Sequence, residues 1–409
     1  MKFFKIKLSP VNERRWSRFK GNRRAKYCLI AFTLLTLLTY CAEMFVNSRA
    51  LIVKYNGEYY FPFISDVRYG KDFGLNYEHE TDYRALQKKF EEEKGDNWVM
   101  MPIIPFSPKD DDPIDQKPLD EKILEVESGF LSKIDEFTKK GLSSDEENKK
   151  VSDLKVEMIA ELDRLDKLKY HPLPPDWSRG HYLGTDKNGY DIASRIVYGY
   201  RVAINFSILL LIITYSFGMT VGCLMGYLGG WFDLITQRII EILSNIPFLY
   251  VAIIVAAIMI DKKMEMGFWP LLCIFAVFGW MGITWYMRTA TYKEKEREYI
   301  IAAKAIGATN WRIIFSHLVP NVISLLVTFI PFAVSGTIIG LTSLDFLGYG
   351  FPKGEPSWGE LIQQGTENTD AYWVVTSVVS ALVLMLFLIN SIGEGVREAF
   401  DPKKISRYE

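Results

Sequence analysis

Apolar residues gather into six long runs, at roughly 27–46, 202–227, 239–260, 271–287, 322–341 and 371–393. Charged residues or Pro/Gly clusters bound each run. A helix rises about 1.5 Å per residue, so roughly 20 apolar residues cross a bilayer core of about 30 Å. The pattern predicts an all-α polytopic membrane protein of about six transmembrane helices. The first run is too long for the apolar region of a secretory signal. No clean small-x-small cleavage site follows it, so it is read as an uncleaved first helix.

The polar segment 47–201 carries a different pattern. It opens with a β-rich stretch at 51–63, split by the hairpin signal Asn56-Gly57. A Pro- and Asp-rich linker follows at 105–118. Ile123, Val126, Phe130 and Phe137 then fall at helical spacing, as do Val151, Leu154, Met158, Leu165 and Leu168. This predicts an amphipathic helical hairpin over 119–170, with Ser143 and Glu146 as a capping box between its arms. The hairpin is read as a packing element or spacer within a mixed extracytoplasmic domain.

Composition adds little until it is mapped onto the pattern. Charged residues are 24% of the chain and mean hydropathy is +0.05, averages that conceal the segregation. Cys28, Cys41, Cys223 and Cys273 all lie in apolar runs and are expected to act as small hydrophobes, not as a disulfide framework. A net charge of −1 makes no case for nucleic acid. No G-x-x-x-x-G-K-[ST] phosphate loop is present; Gly70-Lys71 is followed by Asp72.

Sidedness follows from the basic residues. Residues 1–26 carry ten lysines and arginines against Glu13 alone, which places this basic N-terminus in the cytoplasm. Residues 27–46 then form the first span. The remaining five spans form a core at 202–393. They return a tail at 394–409 to the cytoplasm and leave 288–320 as a basic cytoplasmic loop. The segment 343–370 falls outside, with Lys353 as its sole basic residue. Pro247 and Pro331 lie in or beside spans and are expected to kink them. Glu241 is expected to pair with Arg238. Trp280, Trp285, Trp358 and Trp373 are expected in the interfacial belt.

The loop residues REYIIAAKAIGATNWRIIFSHLVPN, 297–321, are the most informative. Glu298 to Ile306 are good helix formers. Gly307 suits the left-handed conformation that ends a helix. Thr309 can cap a second helix over 310–318, and Pro320 marks the approach to the next span. The predicted unit is helix, tight turn, helix. Ala302, Ala303 and Ala305 give it a slim face that a partner could approach.

This loop, with its paired alanines, Gly307, Ala308 and Pro320, resembles the EAA loop of permease subunits of ATP-binding-cassette importers. Ile301 stands where that motif usually carries Glu; Glu298 lies one turn earlier. Residues 183–201, LGTDKNGYDIASRIVYGYR, resemble the segment before the second helix of C-type oligopeptide and dipeptide permeases. The match rests on Gly184, Asp186, Gly189, Asp191, Ser194, Arg195, Gly199 and Arg201, with Tyr190 departing from it. These carboxylates lack the EF-hand spacing and its closing Glu, and no metal is expected there. Residues 343–365 and 393–402 resemble the last outer loop and the tail of the same group. Residues 8–24 resemble the start of YejE-type permeases, subunits of microcin C and oligopeptide importers.

The resemblance implies the type I, MetI-like importer permease fold and a transport subunit, not an enzyme. It implies a second homologous permease, separate ATPase subunits docking on the loop, and a periplasmic substrate-binding protein. ATP and magnesium would belong to the ATPase, with no cofactor in this chain. The location implied is the bacterial inner membrane. The cargo implied is an oligopeptide or microcin C-like compound, with dipeptides, nickel complexes or glycans as the alternative.

Overall fold

The computed structural model describes residues 10–110, 117–139, 145–167 and 172–400. Helices α1 (Pro10–Gly21) and α2 (Arg23–Tyr40) come first. Strands β1 (Ile52–Tyr55) and β2 (Glu58–Tyr60) follow, then α3 (Tyr83–Glu93), β3 (Trp98–Met100), α4 (Lys117–Lys139) and α5 (Asp145–Lys167). The helical remainder comprises α6 (Ile192–Leu228), α7 (Gly230–Ser244), α8 (Phe248–Asp261), α9 (Phe268–Glu294) and α10 (Glu298–Ala305). It continues with α11 (Asn310–Val327) and α12 (Ile330–Phe346), then α13 (Trp358–Glu367) and α14 (Tyr372–Phe400).

Helices α6, α9 and α14 are each long and apolar enough to cross a bilayer. The pairs α7–α8 and α11–α12 also qualify, bent by 71° and 60°. Both bends coincide with the expected kinks: Pro247 caps α8, and Pro331 sits in the first turn of α12. Proline lacks the N–H that would continue the ladder. The expected first span is shorter than its apolar run. Its helix ends at Tyr40, and Val46 already bridges to Ile104. Arg23, Arg24 and Lys26 occupy its first turn, leaving about 14 apolar residues, or about 21 Å.

The chain divides into two compact units. One comprises Met1–Ala42, Ile196–Gln363 and Val378–Glu409. Within it, α6 seats directly on α9 through Gly218, Gly222 and Gly226, spaced four residues apart. A Cβ on Gly222 would lie 2.6 Å from Thr284 O, and one on Gly226 would lie 2.7 Å from Arg288 O. Small residues at this spacing let two helix backbones approach closely in a membrane. Thr284 Oγ1 uses the proximity to donate to Gly218 O at 3.1 Å. An aromatic cluster of Phe206, Phe248, Phe268 and Phe275 fills the other end. Ile212, Phe217, Ile254, Val383 and Phe387 face outward, as lipid-facing positions do.

The other unit comprises Glu43–Arg195 and Gln364–Ser377. Its sheet has the order β2-β1-β3, antiparallel throughout, with Val53 paired to Tyr60 on one side and Val99 on the other. Asn56 and Gly57 both take positive φ, 51° and 84°, and make the expected two-residue hairpin. The third strand carried no comparable signal. Val53, Val99 and the α3 residues Tyr83, Leu86 and Phe90 form the core beneath the sheet. Helices α4 and α5 pack on each other. Ile123, Val126 and Phe130 are half-buried, as are Val151, Leu154 and Met158. Ser143 lies outside the described residues.

Candidate functional site

The loop between α9 and α11 forms the predicted helix, turn and helix. Helix α10 ends at Ala305, and Gly307 takes φ +81°, returning its N–H to Lys304 O at 3.0 Å. No atom lies within 4 Å of where its Cβ would stand, so backbone conformation alone selects glycine here. Thr309 Oγ1 accepts from Arg312 N at 3.4 Å and caps α11. The segment Ile313–Leu318 then widens into a π-helical turn before Pro320.

Burial divides the loop into two faces. Ile300 and Ala303 are buried against Cys223, Met287, Ile313 and Ile314. Glu298, Ala302, Ala305, Gly307 and Pro320 are exposed, and Ala308 is half-buried. The expected slim face of three alanines is therefore corrected: Ala303 turns inward, because it lies three residues from Ile300 on one helical stripe. The outward face is broader and apolar. Ile306 is 86% exposed, Trp311 62% and Ile301 55%. Ile301 thus presents a hydrocarbon where the related motif carries a carboxylate.

Polar ties fix this loop to the span ends. Tyr227, at the end of α6, donates to Asn310 Oδ1 at 3.1 Å, and Lys304 Nζ lies over its ring at 4.9 Å. Tyr299 donates to Glu294 Oε1 at 2.8 Å and accepts from Asn321 Nδ2 at 3.1 Å. Burial, reinforced by the Glu294 carboxylate, pushes the Tyr299 phenol up to about 12. The loop is thereby held to α6, α9 and α11 at once.

The outer motif forms a second, fully buried network. Asp186 Oδ1 accepts from Asn188 N at 2.8 Å and Tyr190 N at 3.0 Å, and its Oδ2 pairs with Arg195 Nη1 at 2.9 Å. Asp191 Oδ1 caps α6 through Ser194 N at 2.7 Å, while its Oδ2 lies 2.9 Å from His181 Nδ1. Gly184 and Gly189 take φ +81° and +84°. A Cβ on Gly184 would meet Leu173 O at 2.5 Å. Both carboxylates are committed to protein donors, so the arrangement is a scaffold that sets the start of α6. The Arg201 guanidinium lies 4.7 Å from the Tyr198 ring centroid.

Several groups went unsingled in the sequence. His181 stacks on Phe106, with ring centroids 3.9 Å apart. Asp345 is buried, accepting from Ser357 Oγ at 2.6 Å and Phe351 N at 2.7 Å. It explains why Gly350 and Gly359 recur in that outer loop: a Cβ at either would strike Asp345. Arg288 was assigned to the basic loop, yet it lies on α9 and grips Asp233 at 2.5 and 2.6 Å, with Tyr292 donating to the same carboxylate at 2.6 Å. Arg238 pairs with Glu241 as expected. Trp358 departs from its interfacial assignment: it is 4% exposed and donates to Ile196 O at 3.0 Å. Gly199 makes room for its ring, which only the folded arrangement reveals.

Comparisons with known proteins place this geometry. Residues 218–406 match the family described as binding-protein-dependent transport system inner membrane component. The chain is 34% identical to the peptidoglycan transport system permease protein YejE of Agrobacterium fabrum, covering 98% of this chain and 95% of that one. It is also 34% identical to the inner membrane ABC transporter permease protein YejE of Escherichia coli, covering 97% and 99%. The oligopeptide transport system permease protein OppC of Mycobacterium tuberculosis is 34% identical over 58% of this chain and 81% of its own. Among solved structures, the inward-facing MetNI methionine transporter is similar at 19% identity and TM-score 0.43, covering 50% of this chain and 96% of that one. By its near-full-length relatives and its matched core, the chain belongs to the binding-protein-dependent inner-membrane permeases of ATP-binding-cassette importers, alongside the YejE proteins.

Proposed function

We propose that this permease pairs with a second, homologous permease to move oligopeptides or peptide-like compounds of the microcin C kind inward. Relatives named for oligopeptide transport, OppC, and for peptidoglycan transport, the YejE protein of Agrobacterium fabrum, support a peptide-type cargo. A periplasmic binding protein delivers the cargo, and ATP with magnesium is bound by separate ATPase subunits. Both termini and the α10–α11 loop face the cytoplasm, in keeping with the basic residues there.

The observation that carries the reading is the loop itself. It presents an apolar outer face, Ile301, Ile306 and Trp311, while its inner face and polar ties fix it to three membrane helices. An ATPase seated on that face would move α6, α9 and α11 together as its two domains close. Access switches only if the ATP-bound partner contacts one facing state better than the other.

The test is affinity purification of the tagged full chain from native membranes in mild detergent, beside Gly307→Pro. Wild type should bring down an ATPase and a second permease. The variant should lose the ATPase and keep the permease. Wild-type chain that retains the second permease without any ATPase would sink the docking assignment.

A further inference from the structure

Helices α1 and α2 meet the C-terminal end of α14 around an open cleft of about 350 Å³. Its walls are Trp16, Phe19, Leu29, Val327, Val396 and Phe400, and its polar groups are Asn12 and Arg15. Trp16 and Phe19 stack with centroids 5.7 Å apart. The Arg15 guanidinium lies 4.4 Å from the Phe400 ring centroid and 3.3 Å from Asn12 Oδ1. A guanidinium has five N–H donors, so most remain available at the cleft mouth.

The surroundings are strongly cationic. Arg14, Arg18, Lys20, Arg23 and Lys26 share these two helices, and Arg24 pairs with Glu394 at 3.7 Å between two well-exposed side chains. Helix α2 changes from basic to apolar between Lys26 and Tyr27, which sets the level of the lipid headgroups. An apolar slot at that level, with an arginine at its mouth, is complementary to a single lipid carrying net negative charge.

We propose that this cleft binds one anionic phospholipid, its acyl chain against Trp16, Phe19 and Val396 and its phosphate on Arg15. The charge surplus selects an anionic over a zwitterionic headgroup, because both offer Arg15 the same phosphate but the surrounding lysines and arginines repel the zwitterion's ammonium. The inference does not rest on the assignment of the α10–α11 loop.

The test is native mass spectrometry of the delipidated full chain, titrated with phosphatidylglycerol or phosphatidylethanolamine of identical acyl chains. Wild type should retain one phosphatidylglycerol with about tenfold preference, the size of the repulsion between one or two nearby basic residues and the ammonium of phosphatidylethanolamine. Arg15→Gln should lower retention of both lipids, since each offers a phosphate, and should narrow the preference. Val396→Trp should reduce retention of both lipids, with circular dichroism confirming that the helices remain folded. Equal retention of the two lipids by wild type would overturn the proposal. So would undiminished phosphatidylglycerol retention by Arg15→Gln, or retention that appears only after deletion of residues 1–9.

Discussion

Single residues here are constrained by two distinct physical costs. Gly307 needs its left-handed backbone and nothing else, whereas Gly184 needs both that backbone and empty space. Gly307→Ala should therefore cost only the left-handed penalty of about 1–2 kcal/mol. Gly184→Ala adds a collision with Leu173 O and should destabilise its unit by about 1–3 kcal/mol more. Thermal unfolding of the purified variants would rank them; equal losses would refute the distinction. Asp186→Ala removes the carboxylate that pairs with Arg195 Nη1 in a site with no exposure. Removing one partner of such a pair costs about 3–5 kcal/mol. Limited proteolysis should then open cleavage sites within 172–200 that wild type protects.

At the scale of elements, the contact between α6 and α9 depends on Gly218, Gly222 and Gly226. Gly222→Val would place a branched side chain where Thr284 O and Met287 now lie within 3 Å. The helices must then separate, which also moves Tyr227 away from Asn310. The expected result is weaker ATPase retention from a residue that does not touch the loop. Gly282→Ala on α9 serves as the control, since its Cβ position is open and its backbone helical. If Gly222→Val retains the ATPase as wild type does, α6 is not part of the connection. The α4–α5 hairpin is expected to be dispensable: deletion of 107–170 should leave peptide uptake substantially intact. Complete loss of uptake with normal membrane insertion would assign the hairpin a transport role.

At the scale of the whole molecule, the sheet-containing unit carries a pH response of its own outside the spans. Lys54 donates to Asp96 and holds that carboxyl below the usual range. A depressed carboxyl contributes stability above its unfolded pKa of about 4 and loses it as pH falls through the folded value. Lys54 is raised by the same hydrogen bond, and burial pushes Tyr83 up to about 12. Raised groups contribute below their unfolded values, about 10 for both, and lose that stability as pH rises through the folded ones. Protection of residues 43–110 from protease should plateau between about pH 4 and pH 10. Tyr83→Phe should flatten the alkaline limb, and Lys54→Met should make the acid limb shallower. The Lys54 effect should be small, because Asp96 is almost wholly exposed.

Local, periodic and stereochemical features were legible in the sequence. The apolar runs follow from bilayer thickness. The turns at Asn56-Gly57 and Gly307 follow from which residues tolerate positive φ, and the kinks follow from prolines that cannot donate. The family followed from motifs that are contiguous along the chain. Long-range features were not legible. Asp233 and Arg288, or Gly199 and Trp358, are far apart in sequence, and nothing local marks them as partners. The inward turn of Ala303 depends on what packs beside α10, and the cleft at Arg15 depends on α1 and α14 meeting from opposite ends of the chain. The sequence by itself determined which segments are helical and apolar, because those properties are set within a turn or two. Only the tertiary structure decided which faces meet, because backbone approach and buried pairing are properties of two segments at once.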